Sequence, residues 1–132
     1  MVRCKISGGS AFAVNKLPYH LAFTMKVREG GKTYNVVIIG SPNVNPGYRL
    51  VNNSAYPQIA ADYEKMFRVL KSLPCDIFLG AHGEYFDLAT KYPRFKEGVL
   101  TAFVDAEGYR KYVADKEEAF KTELAKQRAA PH

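Results

Sequence analysis

Residues 24–40 read TMKVREGGKTYNVVIIG and residues 75–83 read CDIFLGAHG. In the first stretch apolar and polar residues alternate through TMKVRE, GGK offers a tight turn, and TYNVVIIG is a β-branched run. That pattern predicts a β-hairpin whose second strand is buried on both faces. CDIFLG predicts a short buried strand. Between the two, Ile59, Tyr63, Met66, Phe67, Leu70 and Leu73 recur at helical spacing, which predicts an amphipathic helix over 55–73. Ser54 is its candidate cap, Pro57 fits its first turn and Pro74 ends it. Strand, helix and strand in that order predict an α/β (α+β) fold: a mixed sheet with helices on one face.

Outward from this unit, SPNVNPGYRLVNNSAYP (41–57) holds three prolines and four asparagines, the composition of a long loop. Loops of that length often line a site. AHGEYFDL (81–88) reads as a loop and ATKYPRFKEG (89–98) as a short helical or turn segment. A last helix is expected over about 105–128, with Tyr109, Tyr112, Val113, Phe120 and Leu124 as its apolar stripe and Glu117–Lys121 as an i,i+4 pair. Residues 129–132 are expected to fray. At the other end, VRCKI and SAFAV read as short strands separated by SGGS, and KLPYHLAF follows as a loop or strand.

The chain has 132 residues, 47% of them hydrophobic and 24% charged. It reads as one globular domain. The net charge is +6, from 19 basic and 13 acidic residues. The basic residues are scattered and interleaved with acids, without a helix-turn-helix, RNP or zinc-finger pattern, so no nucleic-acid partner is expected. No apolar run approaches the ~18 residues of a membrane span, and no membrane partner is expected. The amino terminus lacks the pattern of a secretory signal, which makes the cytoplasm the default location. Cys4 and Cys75 are too few for a disulfide scaffold, and Cys75 reads as a buried reduced thiol.

Three histidines are present, His20, His82 and His132, with no HxH, HExxH or CxxC spacing around them. His82 stands apart. It follows the CDIFLG strand directly, between Gly80 and Gly83, where the carboxyl end of a strand in an α/β sheet presents side chains to a cleft. A structural hydrogen bond from a loop histidine is the competing reading. There is no nucleophile elbow, no P-loop and no paired-carboxylate motif, so no catalytic residue is assigned.

The order of hairpin, GSPNVNPGYRLV (40–51), NNSAYPQIAADYEKMFRVLKSLPCDIFLGAHGEYFDL (52–88) and DAEGYRKYVADKEEAF (105–120) resembles the C-terminal half of metallo-β-lactamases of the third subclass. The resemblance runs from about Thr24 to Lys126. It divides the chain into a non-homologous extension (1–23), a lactamase-like half (24–128) and a tail (129–132). It implies half of an αββα sandwich and a parent activity of zinc-dependent β-lactam hydrolysis, an antibiotic-resistance function exported to the periplasm. It further implies zinc as cofactor, His82 as a ligand of the second zinc, and Ser41 and Asn43 beside the metals as substrate-binding candidates.

The family's HxHxDH motif does not occur in these 132 residues, and NKLPYHLAF stands where another ligand histidine would be sought. His20 has the wrong neighbours to take that role. One imidazole cannot build a catalytic zinc site, which needs about three protein ligands and an open position. The expectation is therefore a truncated, lactamase-like chain, non-catalytic alone. Half a sandwich would leave a sheet face uncovered, which predicts a homodimer or higher oligomer that completes the fold. Two alternatives stand beside it: a residual zinc hydrolase with a site assembled between subunits, or an interaction module that complements a separate N-terminal half.

Overall fold

The computed structural model describes residues 5–12, as backbone, and 22–130; the expectations for His20, Cys4 and the terminal histidine lie outside the described residues. The hairpin forms as predicted. Strands β2 (Ala22–Glu29) and β3 (Lys32–Ile39) pair antiparallel from Ala22↔Ile39 to Glu29↔Lys32. Gly30 and Gly31 make the turn with φ of 55° and 79°, a region open to glycine at no steric cost. β1 (Lys5–Phe12) adds antiparallel to the outer edge of β2. SGGS does not interrupt β1. The register shifts between Ile6 and Gly9 while the strand continues, so the extra backbone is absorbed as an irregularity in the ladder.

The long loop leads into α1 (Ile59–Ser72), which starts later than the apolar spacing suggests. Gln58, not Ser54, occupies the cap, without a side-chain bond, and Pro57 lies before the first turn. The reason lies in the loop itself. Asn53 Oδ1 accepts from the Tyr56 amide at 3.0 Å and Asn53 Nδ2 donates to the Arg49 carbonyl at 2.9 Å, holding 53–56 in a turn of its own. The helix ends before Pro74 as expected.

β4 (Ile77–Gly80) runs parallel to β3, in register from Val36↔Ile77 to Ile39↔Gly80, and completes a four-stranded mixed sheet of order β1-β2-β3-β4. A short 3₁₀ turn (Gly83–Phe86), helix α2 (Leu88–Lys96) and helix α3 (Ala106–Ala129) follow. α3 carries Ala129 as its last residue and Ala130 as its cap. No helix among the described residues is long and apolar enough to cross a membrane.

The core lies on one side of the sheet. Val37, Ile39, Phe78 and Ala22 face the buried stripes of α1 (Ile59, Tyr63, Met66, Phe67, Leu70) and α3 (Tyr109, Val113, Phe120, Leu124). Phe120 stacks on Tyr63 with centroids 5.1 Å apart and leans on Phe67 at 5.8 Å. The Tyr109 hydroxyl donates to the Leu70 carbonyl at 2.6 Å, tying α3 to the last turn of α1. Glu117 bridges Lys71 at 2.9 Å and Lys121 at 3.4 Å, and these bonds, Lys71's first, hold its carboxyl below its ordinary pKa. The Cys75 thiol is half-buried and reduced, and burial pushes it up to about 12.

By register, the opposite face carries Phe23, Ile38 and Leu79 in one row, Met25, Val36 and Ile77 in the next, and Val27 with Tyr34 beyond. Val36, at the centre, is buried. The expected burial of β3 on both faces therefore holds at Val36 and Val37, but Tyr34 and Ile38 are only half-buried and Phe23 is 41% exposed.

Among the described residues one ion pair has a buried cation. Lys91 of α2 reaches Asp105 Oδ2 at 2.6 Å, while Asp105 Oδ1 accepts from the Gly108 amide at 2.8 Å as the cap of α3. Burial works to raise the Asp105 pKa, but Lys91 and the Gly108 amide outweigh it and hold the carboxyl below its ordinary value. A carboxyl depressed on folding stabilises the native state above its unfolded pKa of about 3.9, and that contribution disappears as pH falls through the lower folded value. Asp105→Ala is expected to cost about 3 kcal/mol, since it strips a cap and leaves Lys91 buried without its counter-charge. Urea unfolding at neutral pH measures the loss; Lys91→Met on that background should recover some of it, and an additive double variant would contradict the pairing.

Candidate functional site

Because β3 and β4 are parallel and in register, both strands leave the sheet at the same edge. The Ala81 amide donates to the Ile39 carbonyl at 2.9 Å and carries the pairing one residue further. Immediately beyond it stand Ser41 and Asn43 from β3 and His82 from β4. The carboxyl ends of parallel strands are where ligands are bound in sheets of this kind.

The local geometry is set by a tight turn. The Tyr85 amide donates to the His82 carbonyl at 3.1 Å, which folds Tyr85 back towards the sheet. The Tyr85 ring meets the His82 imidazole edge-on, with centroids 5.0 Å apart and planes at 71°. Its hydroxyl accepts from Asn43 Nδ2 at 3.3 Å. Tyr112 of α3 packs against the ring at 5.1 Å, and Lys116 Nζ sits 5.5 Å from the Tyr112 ring centre and 5.9 Å from that of Tyr85, within cation–π range. The Tyr112 hydroxyl is shielded from solvent; burial, then the neighbouring Tyr85 hydroxyl, keep it protonated well above the usual tyrosine range. The Asn43 carbonyl accepts from the Tyr63 hydroxyl at 2.8 Å, so the loop is anchored to the core helix.

Of the residues singled out from sequence, Asn43 and His82 are thus joined through Tyr85. Ser41 is half-buried on the same edge, one residue before the buried Pro42. His82 itself is exposed. Sequence reasoning misses Tyr85 and Lys116. The signal for Tyr85 is its place three residues after His82, the reach of one tight turn. Lys116 carries none, since it reads as one more charge on a solvated helix face.

The zinc implied by the resemblance does not find a complete site here. Among the described residues no three of His, Cys, Asp and Glu converge where a metal ion could be held. A catalytic zinc takes about three protein ligands, and His82 is not part of such a set among these residues.

Gly80 is required by the same packing. A Cβ there would lie 2.9 Å from Tyr85 Cδ2 and 3.3 Å from the Ile39 carbonyl. Gly80→Ala is expected to push Tyr85 off His82 and to destabilise the fold by about 1–3 kcal/mol. Loss of the ring-current shift on the His82 protons by NMR, with a lower melting temperature, checks this; an unmoved His82 signal would contradict it.

No family model matches the chain. Solved structures do. The native FEZ-1 metallo-β-lactamase from Legionella gormanii is 48% identical, with a TM-score of 0.80, over 83% of this chain and 42% of that one. A metallo-β-lactamase from Cronobacter sakazakii is 31% identical, with a TM-score of 0.73, over 94% of this chain and 51% of that one. BJP-1, a subclass B3 metallo-β-lactamase of Bradyrhizobium japonicum, is 27% identical with a TM-score of 0.80, over 95% of this chain and 49% of that one. The chain spans about half the length of the enzymes it matches. In fold and in sequence it is a metallo-β-lactamase-like half, similar to about half of a subclass B3 enzyme.

Proposed function

We propose that this chain is a lactamase half that carries one ligand of a zinc site, His82, and does not hydrolyse β-lactams on its own. Ser41 and Asn43 are its contribution to the substrate side of the cleft. The observation that carries the reading is the histidine at the carboxyl edge of β3 and β4, which belongs to no group of three potential ligands among the described residues. A lone imidazole gives weak, exchanging contact with zinc, short of the closed ligand set that activates a water.

The open sheet face supports the other element of the reading, which is self-association. Phe23, Met25, Ile38 and Ile77 form apolar rows outside the core that α1 and α3 cover. Sheets of this kind pack face to face at about 10 Å, and for the isolated chain the available sheet is that of a second copy. A two-fold axis through Ile38 sets like against like, giving an isologous homodimer that rebuilds a two-sheet sandwich.

Hydrolysis of a chromogenic cephalosporin with added zinc is expected to stay at the buffer rate. Zinc-dependent turnover abolished by His82→Ala would overturn the reading in favour of a site assembled between subunits. Sedimentation at micromolar concentration should give a dimer, and Ile38→Asp, which sets a charge on the open face, should give a folded monomer. A monomeric parent chain would contradict self-association. If it then bound a separately expressed N-terminal lactamase half, complementation would take its place.

A further inference from the structure

Beside Asn43, the loop 43–49 and helix α3 line a groove of about 830 Å³. That volume falls in the ~300–1,000 Å³ range of small-molecule sites. Its walls carry Arg49, Lys116 and Lys126 against one acid, Glu123. Glu123 is already engaged. Its carboxylate lies 3.7 Å from Lys126 and accepts from Gln127 Nε2 at 2.8 Å. Arg49 and Lys116 have no carboxylate within 4 Å among the described residues. The groove therefore holds two uncompensated cations.

The walls are also held in place. Gln127 clamps the loop to α3 from both ends of its carboxamide: Nε2 donates to the Tyr48 carbonyl at 2.8 Å and Oε1 accepts from the Leu50 amide at 2.7 Å. Lys116 is steadied by the Tyr85 and Tyr112 ring faces, which localise its ammonium without neutralising it. Asn43 lines the same wall. A guanidinium on the braced loop and an ammonium on α3 match the oxygens of a carboxylate or phosphate group.

We propose that this groove binds a small anionic ligand through Arg49 and Lys116, adjoining the His82 edge, with which it shares Asn43. Through Lys116 and Tyr85, occupancy of the groove is felt at His82.

The test is an NMR titration of the full chain with inorganic phosphate, and separately with succinate, against sodium chloride at matched ionic strength. The expected result is saturable movement of the Gln127 and Asn43 side-chain amides with either probe, together with a smaller shift at His82. The probe that binds more tightly identifies the ligand as a phosphate or a carboxylate. The double variant Arg49→Gln/Lys116→Gln should weaken binding at least tenfold, while Lys116→Arg should retain it. Movement no greater than with chloride, or shifts spread evenly over all surface lysines, would overturn the proposal. So would undiminished binding by the double variant or lost binding by Lys116→Arg.

Discussion

Everything in the molecule depends on the parallel pairing of β3 with β4. The pairing is pinned at its start by Asp76, whose carboxylate accepts from the Asn35 amide at 2.7 Å and the Asn35 side chain at 3.0 Å, while its own amide donates to the Asn35 carbonyl at 2.8 Å. The Asp76 carbonyl in turn accepts from the Asp105 amide at 2.8 Å, so the cap of α3 and the buried Lys91 are attached to the same point. A parallel pair needs a crossover. Here the crossover carries α1, which with α3 covers one sheet face. The opposite end of the pair is free to open, and there Asn43 and His82 emerge side by side.

That architecture explains why half a lactamase-like domain holds a shape at all. The helix-covered face contains a continuous aromatic core, Tyr63, Phe67, Phe78, Tyr109 and Phe120, that needs no second sheet to be filled. The other face does need one. Its central residue, Val36, is buried, whereas Phe23 remains open. A folded half and an apolar face are consequences of the same division, and both follow from helices that lie on one side only.

The features legible in sequence are those with local signals. GGK between alternating and β-branched runs marks the hairpin, and the 3.6-residue spacing of Tyr109, Val113, Phe120 and Leu124 marks α3. GAHG after a short apolar run places His82 at a strand end. The features that are not legible depend on contacts distant in the chain or on competition between neighbours. Ser54 reads as a cap, but Asn53 commits the backbone to a separate turn first. SGGS reads as a break, but pairing with β2 carries the strand through it. Nothing local marks Lys91, whose partner Asp105 lies fourteen positions on. Nothing local marks Gln127 either, whose carboxamide holds the loop at Leu50, 77 positions away.

The most direct check on a one-ligand site is metal content. The chain would be exposed to excess zinc, passed through gel filtration, and analysed by elemental spectroscopy beside His82→Ala. Zinc far below one equivalent per chain, alike in both proteins, is the predicted result. About one tightly held zinc per chain that disappears with His82 would contradict it, and would mean that further ligands complete the site.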